Sequence, residues 1–173
     1  MTLEELNALP ARTSDQQFFD CCASTRWAQA MTTARPYANL TALRNFAEAS
    51  WAQATEAEQL EAFAAHPLIG DVELLRAKFA ANAATAHREQ GQVLDADDAT
   101  LAELARLNLA YRERHGFIFI ICASDKTPGE MLSALQTRLP RTTTEEIRAA
   151  AAEQLAITQL RLTRLLATAA NHS

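Results

Sequence analysis

Glycine and proline are scarce in this chain, 4 and 5 of 173 residues, so little interrupts regular backbone. Lysine is scarcer still. Lys78 and Lys126 are the only two, no Lys/Arg block occurs, and the formal net charge is −5. Neutralising a phosphate backbone needs a concentrated basic face, so nucleic acid is excluded as a partner. The three cysteines, Cys21, Cys22 and Cys122, cannot complete an even disulfide framework, and adjacent Cys21 and Cys22 are badly placed to pair with each other. There is no Cys-x-x-Cys or His-x-x-x-His spacing, which argues against a structural metal site. No apolar run is long enough to span a bilayer, and Met1 to Pro10 carries acids rather than a signal-like apolar stretch. The expectation is a protein of the reducing cytoplasm, with no membrane and no metal.

What is abundant is helix-forming. Hydrophobic residues make up 49% of the chain, enough to drive folding by burial, and Ala, Leu, Glu and Arg dominate. These residues lose little side-chain entropy in a helix. The length fits one domain over 1–173 with its own core. The fold expected is all-α, a single multi-helix domain.

Start and stop signals divide that domain. Ser14 with Gln17, Thr55 with Glu58, and Thr127 with Glu130 match the capping-box spacing, and Pro128 falls at a first helical position, where its missing N–H costs nothing. Pro36, Pro67, Gly116 and Pro140 read as stops. The signals predict helices at about 3–9, 15–23, 25–33, 38–49, 56–65, 71–82, 98–114, 128–138 and 144–169. In the last, Ile147, Ala151, Leu155, Leu162, Leu165 and Leu166 form an apolar stripe at the helical period. The run Phe117-Ile118-Phe119-Ile120-Ile121-Cys122 is strand-like but has no comparable run to pair with. It reads as a short extended wall whose spare backbone groups can meet a ligand. The stretch from Ala81 to Asp97 is loose enough to close over a site, although its alanines equally allow the preceding helix to run on.

Three places carry possible chemistry. His66 precedes Pro67, which pushes it out of α geometry and presents it from a stiff turn, a suitable mount for an acid or base near neutral pH. The same position also suits a plain helix-end cap. His87-Arg88-Glu89-Gln90 can grip a planar array of N–H and C=O groups, or can be a solvated loop. Arg161, at the edge of the last helix's stripe, can snorkel to solvent or lend a fixed charge to a partly buried pocket. Cys122 reads as a small wall residue rather than a nucleophile, Arg164 as surface, and His115 as a cation at a helix end.

Taken in order, the segments resemble the OHCU decarboxylase family, which acts on 2-oxo-4-hydroxy-4-carboxy-5-ureidoimidazoline (OHCU). The resemblance covers about residues 17–166. It rests on Cys21-Cys22-Ala23-Ser24-Thr25-Arg26-Trp27, His66-Pro67-x-Ile69-Gly70, Arg88-Glu89-Gln90, Gly116-Phe117-x-Phe119-Ile120-Ile121-Cys122-Ala123 and Leu160-Arg161-Leu162. Two positions depart from the family pattern: Ala86 stands where serine is common, and Ile118 where proline is common.

The resemblance implies an all-α homodimer that turns OHCU into (S)-allantoin and CO2 during urate breakdown, with no cofactor. It implies His66 as the catalytic acid/base, with Glu89 and Arg161 as its polar partners. Substrate would be lined by Pro67, by Ala86, His87, Arg88, Glu89 and Gln90, and by Phe119, Ile120, Ile121, Cys122 and Ala123. The alternative is a helical binding or regulatory module that kept the pocket and lost catalysis.

Overall fold

A computed structural model describes residues 1–68, 98–124 and 126–167. Eight helices are present among them: α1 (Leu3–Ala8), α2 (Ala11–Cys22), α3 (Thr25–Thr33), α4 (Leu40–Trp51), α5 (Glu56–Ala64), α6 (Asp98–His115), α7 (Pro128–Arg138) and α8 (Thr143–Ala167). No strand occurs among the described residues, so the fold is all-α as the composition implies. The helix expected at 71–82 lies outside them.

Most boundaries follow the capping chemistry. Thr55 and Thr127 each accept from the backbone of the residue three further on, Glu58 and Glu130, whose carboxylates accept from the threonine N–H in return. Thr2 and Glu5 form a third such box that the sequence reading passed over. Ser14 does not start a helix. α2 begins at Ala11 behind Pro10, which leaves Ser14 mid-helix and fully buried, its hydroxyl taking a hydrogen bond from Thr32 at 3.2 Å. A proline before Ala11 needs no donor of its own, so the helix starts a turn earlier than the serine signal implied.

The chain forms two compact units. Unit 1 comprises Met1–Ala65 and the chain from Ala149 onward, and unit 2 spans His66–Arg148. In unit 1, Phe18, Trp27 and Tyr37 meet edge to face, at 6.2 and 6.4 Å between ring centroids. Leu6, Met31, Leu43 and Leu162 are completely buried. The two indoles are satisfied by carbonyls: Trp27 donates to Ala47 at 3.0 Å and Trp51 to Ala151 at 2.9 Å. Arg35 donates to the carbonyls of Leu6, Leu9 and Thr32, so one guanidinium serves the open C-terminal end of α1. In unit 2, α6 packs on α7, and Leu101, Leu104, Tyr111, Met131 and Leu135 of these helices are buried.

The C-terminal helix corrects the sequence reading. Of the expected stripe only Leu162 is fully buried, while Ile147, Ala151, Leu155, Leu165 and Leu166 are half-buried. The buried line is Glu146, Ala150, Gln154, Thr158 and Leu162, each four residues apart. Three of the five are polar. Burial is tolerable because other elements supply partners, which an apolar periodicity cannot register.

Candidate active site

His66 lies just past the C-cap of α5, Ala65, in the turn that Pro67 terminates; it is half-buried and Pro67 is exposed. Ala86, His87, Arg88, Glu89 and Gln90 lie outside the described residues. The wall is the best-defined part. Gly116, at φ +80°, swings the chain off the end of α6 with its N–H still bonded to the Arg112 carbonyl at 2.9 Å. That left-handed turn favours glycine. Phe117, Phe119 and Ile120 then bury, while Ile118, Ile121, Cys122 and Ala123 are half-buried. As expected, the run pairs into no sheet among the described residues.

Without a ladder, other groups must hold the wall. Tyr111 of α6 meets Phe117 and Phe119 edge to face at 5.7 and 5.2 Å. The Arg138 guanidinium, buried at the end of α7, sits 4.6 Å from the Phe119 ring centroid and donates from Nη1 to the Ile120 carbonyl at 2.9 Å. Its Nε donates to Glu146 at 2.8 Å, and the same carboxylate oxygen accepts from the Tyr111 hydroxyl at 2.6 Å. Arg141 approaches the other Glu146 oxygen at 3.7 Å. Burial, with the Glu146 carboxylate as acceptor, pushes the Tyr111 phenol well above its ordinary pKa, which keeps it a donor. At the far end, Lys126 Nζ donates to the Cys122 carbonyl at 3.0 Å.

None of Tyr111, Arg138 and Glu146 was singled out by the sequence. Arg138 and Glu146 flank Pro140 in a polar stretch that looks like ordinary surface charge, and nothing in their spacing distinguishes them.

His115 ends α6 as read, but it is buried there, its ring 4.4 Å from that of Tyr111. Nε2 lies 3.1 Å from the Leu139 carbonyl and Nδ1 3.2 Å from the Thr143 hydroxyl. A carbonyl only accepts, so Nε2 is the donor in the first contact, while the Thr143 hydroxyl can donate to or accept from Nδ1.

Arg161, half-buried on α8 in unit 1, donates from Nη1 to the Cys21 carbonyl at 3.1 Å, and Gln154 reaches the Cys22 carbonyl at 3.4 Å. Both serve the open end of α2, which closes on Ala23 in the left-handed region at φ 59°. Arg161 therefore has a structural duty, with further guanidinium donors beyond Nη1. The stretch from Cys21 to Trp27 is the corner between α2 and α3. Burial pushes the Cys21 and Cys22 thiols up to about 11, so neither is a nucleophile near neutral pH.

A cleft of about 250 Å³ opens in unit 1 between Trp27, Phe46 and Ser50, beside the Arg26–Glu58 ion pair. None of the predicted site residues lines it, and it has no histidine. Among the described residues no cluster of His, Cys, Asp or Glu is arranged to hold a metal, and no helix is long and apolar enough to cross a membrane.

The sequence pattern of one family, OHCU decarboxylase, matches residues 7–163. The chain is 37% identical over 148 residues to the uric acid degradation bifunctional protein TTL of Arabidopsis thaliana, covering 84% of this chain but only 45% of that larger protein. It is 26% identical to the 2-oxo-4-hydroxy-4-carboxy-5-ureidoimidazoline decarboxylase of Haloferax volcanii, over 94% of each chain. Among solved structures, a crystal structure of OHCU decarboxylase in the presence of (S)-allantoin superposes with a TM-score of 0.71 at 35% identity, over 88% of this chain and 98% of that one. An (S)-allantoin synthase at 22% identity shares the fold, with a TM-score of 0.70 over 95% of this chain and 53% of that one.

Proposed function

Because the chain belongs to the OHCU decarboxylase family, we propose that it converts OHCU to (S)-allantoin and CO2 in urate breakdown, with His66 as the acid/base. The observation that carries this is the likeness, at 35% identity, to a decarboxylase crystallised with (S)-allantoin. As CO2 leaves, the C–C bond's electron pair passes into the substrate's own conjugated ring, so no cofactor is needed as a sink. A proton then adds to the neighbouring ring carbon that carries the ureido group, while the hydroxyl on the carbon that lost CO2 gives up its proton and becomes the ring carbonyl; His66 delivers the first proton or accepts the second. Glu89 orients ring or ureido N–H groups, and Arg161 holds a carbonyl or developing negative charge. Pro67, residues 86–90 and the wall from Phe119 to Ala123 line the substrate. The buried rings of the wall support this assignment, since a dry surface strengthens every polar contact made against it.

The protein is proposed to work as a homodimer in the cytoplasm. The second point is consistent with Cys21 and Cys22 standing as unbridged thiols. Light scattering at micromolar concentration tests the first.

The decisive assay supplies freshly generated OHCU and follows optically active allantoin by circular dichroism, in time, because uncatalysed decay yields racemate. His66→Asn should abolish stereospecific turnover while the fold and the binding of an allantoin-like analogue persist. Arg161→Ala should weaken analogue binding and rate together, by about 2–4 kcal/mol for a charged hydrogen bond lost in a dry site. Near-full stereospecific activity in His66→Asn would remove His66 from the mechanism.

A further inference from the structure

We propose that Arg138 is a positioning residue for catalysis: held by Glu146, it fixes the wall from Phe119 to Ala123 in the one placement that fits substrate. This rests on the reading that the wall lines the substrate site.

Among the described residues the wall has no sheet to set its position, so side-chain contacts take on that task. Arg138 supplies two of them, on adjacent residues: the hydrogen bond to the Ile120 carbonyl at 2.9 Å and the guanidinium at 4.6 Å from the Phe119 ring centroid. A backbone carbonyl and a neighbouring ring held by one planar group leave that stretch little freedom to twist or slide. The guanidinium is itself held from behind. Glu146, with no exposed side-chain surface, accepts from Nε at 2.8 Å, and Tyr111 orients that carboxylate at 2.6 Å while its ring packs on Phe119. The result is a closed circuit from α6 to α8 to α7 to the wall.

Cohesion alone does not account for the choice of residues. Burying an ion pair costs desolvation that a well-packed apolar pair avoids, so the pair adds little net stability. What it adds is direction. Apolar packing tolerates small slides, whereas a guanidinium between a carboxylate and a carbonyl has one geometry that satisfies both. Such directionality matters most where a ligand is gripped by backbone groups, which cannot adjust by rotating about a side-chain bond.

The test compares Arg138→Lys, Arg138→Met and Glu146→Gln with the wild-type chain by steady-state kinetics on fresh OHCU, thermal melting, and the rate at which Cys122 in the wall reacts with a thiol reagent. Lysine keeps a donor but not the planar fork, and methionine keeps only the packing on Phe119. Arg138→Met should raise KM about tenfold or more with a much smaller fall in kcat, the pattern of lost substrate binding. Arg138→Lys should recover part of that loss, and Cys122 labelling should accelerate at temperatures well below melting while buried Cys21 and Cys22 stay protected. If Arg138→Met does not fold, Arg138→Lys and Glu146→Gln carry the same two readouts. A lowered melting temperature with unchanged KM and unchanged Cys122 labelling would reduce Arg138 to a structural role and overturn the proposal alone. A well-folded wild-type chain inert toward OHCU would overturn the functional reading, and this proposal with it.

Discussion

His115 and Arg138 show what a single residue's surroundings decide. At the end of α6, His115 carries the signature of a charge facing the helix dipole, yet it is buried against Tyr111 and hydrogen-bonded on both ring nitrogens. His115→Asn should therefore destabilise the fold by about 1–3 kcal/mol, because a shorter amide leaves the Leu139 carbonyl or the Thr143 hydroxyl without its partner. Urea unfolding checks this, and a variant as stable as the parent would show that neither hydrogen bond of the His115 ring contributes to stability. Sequence resemblance singled out Arg161 for the proposed site, but not the bond it makes at the end of α2. Its bond to the Cys21 carbonyl means that Arg161→Ala also opens the end of α2, so melting must be measured beside binding. Arg138 and Glu146 were illegible because a buried ion pair and a surface pair have the same letters; only the fold distinguishes them.

At the scale of the helices, the caps were the most readable signals, because their chemistry is local. Thr55 with Glu58 and Thr127 with Glu130 close as their spacing says, and Thr142 with Glu145 adds a further reciprocal pair. In each, the threonine N–H donating to the glutamate holds that carboxyl below its ordinary pKa of 4.5. The sign follows directly. A depressed folded pKa means that the folded chain binds fewer protons than the unfolded one, so the contribution is complete above the unfolded pKa and drains away as pH falls through the folded value. Melting temperature should accordingly be insensitive to these groups from neutrality down to about pH 5 and decline below about 4.5. Glu130→Gln should make that decline shallower, and an identical acid limb in the variant would show that the cap carries no charge-dependent part. Burial along α8 was less readable. Its innermost line contains Glu146, Gln154 and Thr158, and their partners Tyr111, Arg138 and the Cys22 carbonyl come from distant sequence. Periodicity therefore marked the half-buried flank of the helix instead.

For the molecule as a whole, composition was sufficient to give the helical class, while the division of labour along the chain was not visible in it. Unit 1 is assembled from two pieces, residues 1–65 and the chain from Ala149 onward. The later piece supplies Leu162 to the core, the carbonyl acceptor for Trp51, and both donors that close α2. A fragment of residues 1–65 should therefore show weak helicity and no cooperative melt, and adding a peptide of residues 143–167 should restore part of both. A fragment that melts cooperatively by itself would contradict this. The same arrangement bears on how the protein is made. Translation at 5–20 residues per second puts roughly 4–17 s between the emergence of residue 65 and that of residue 149. During that interval Trp51 and the end of α2 wait for their partners, so the nascent chain must be shielded by the ribosome and its attendant chaperones until the last helix arrives.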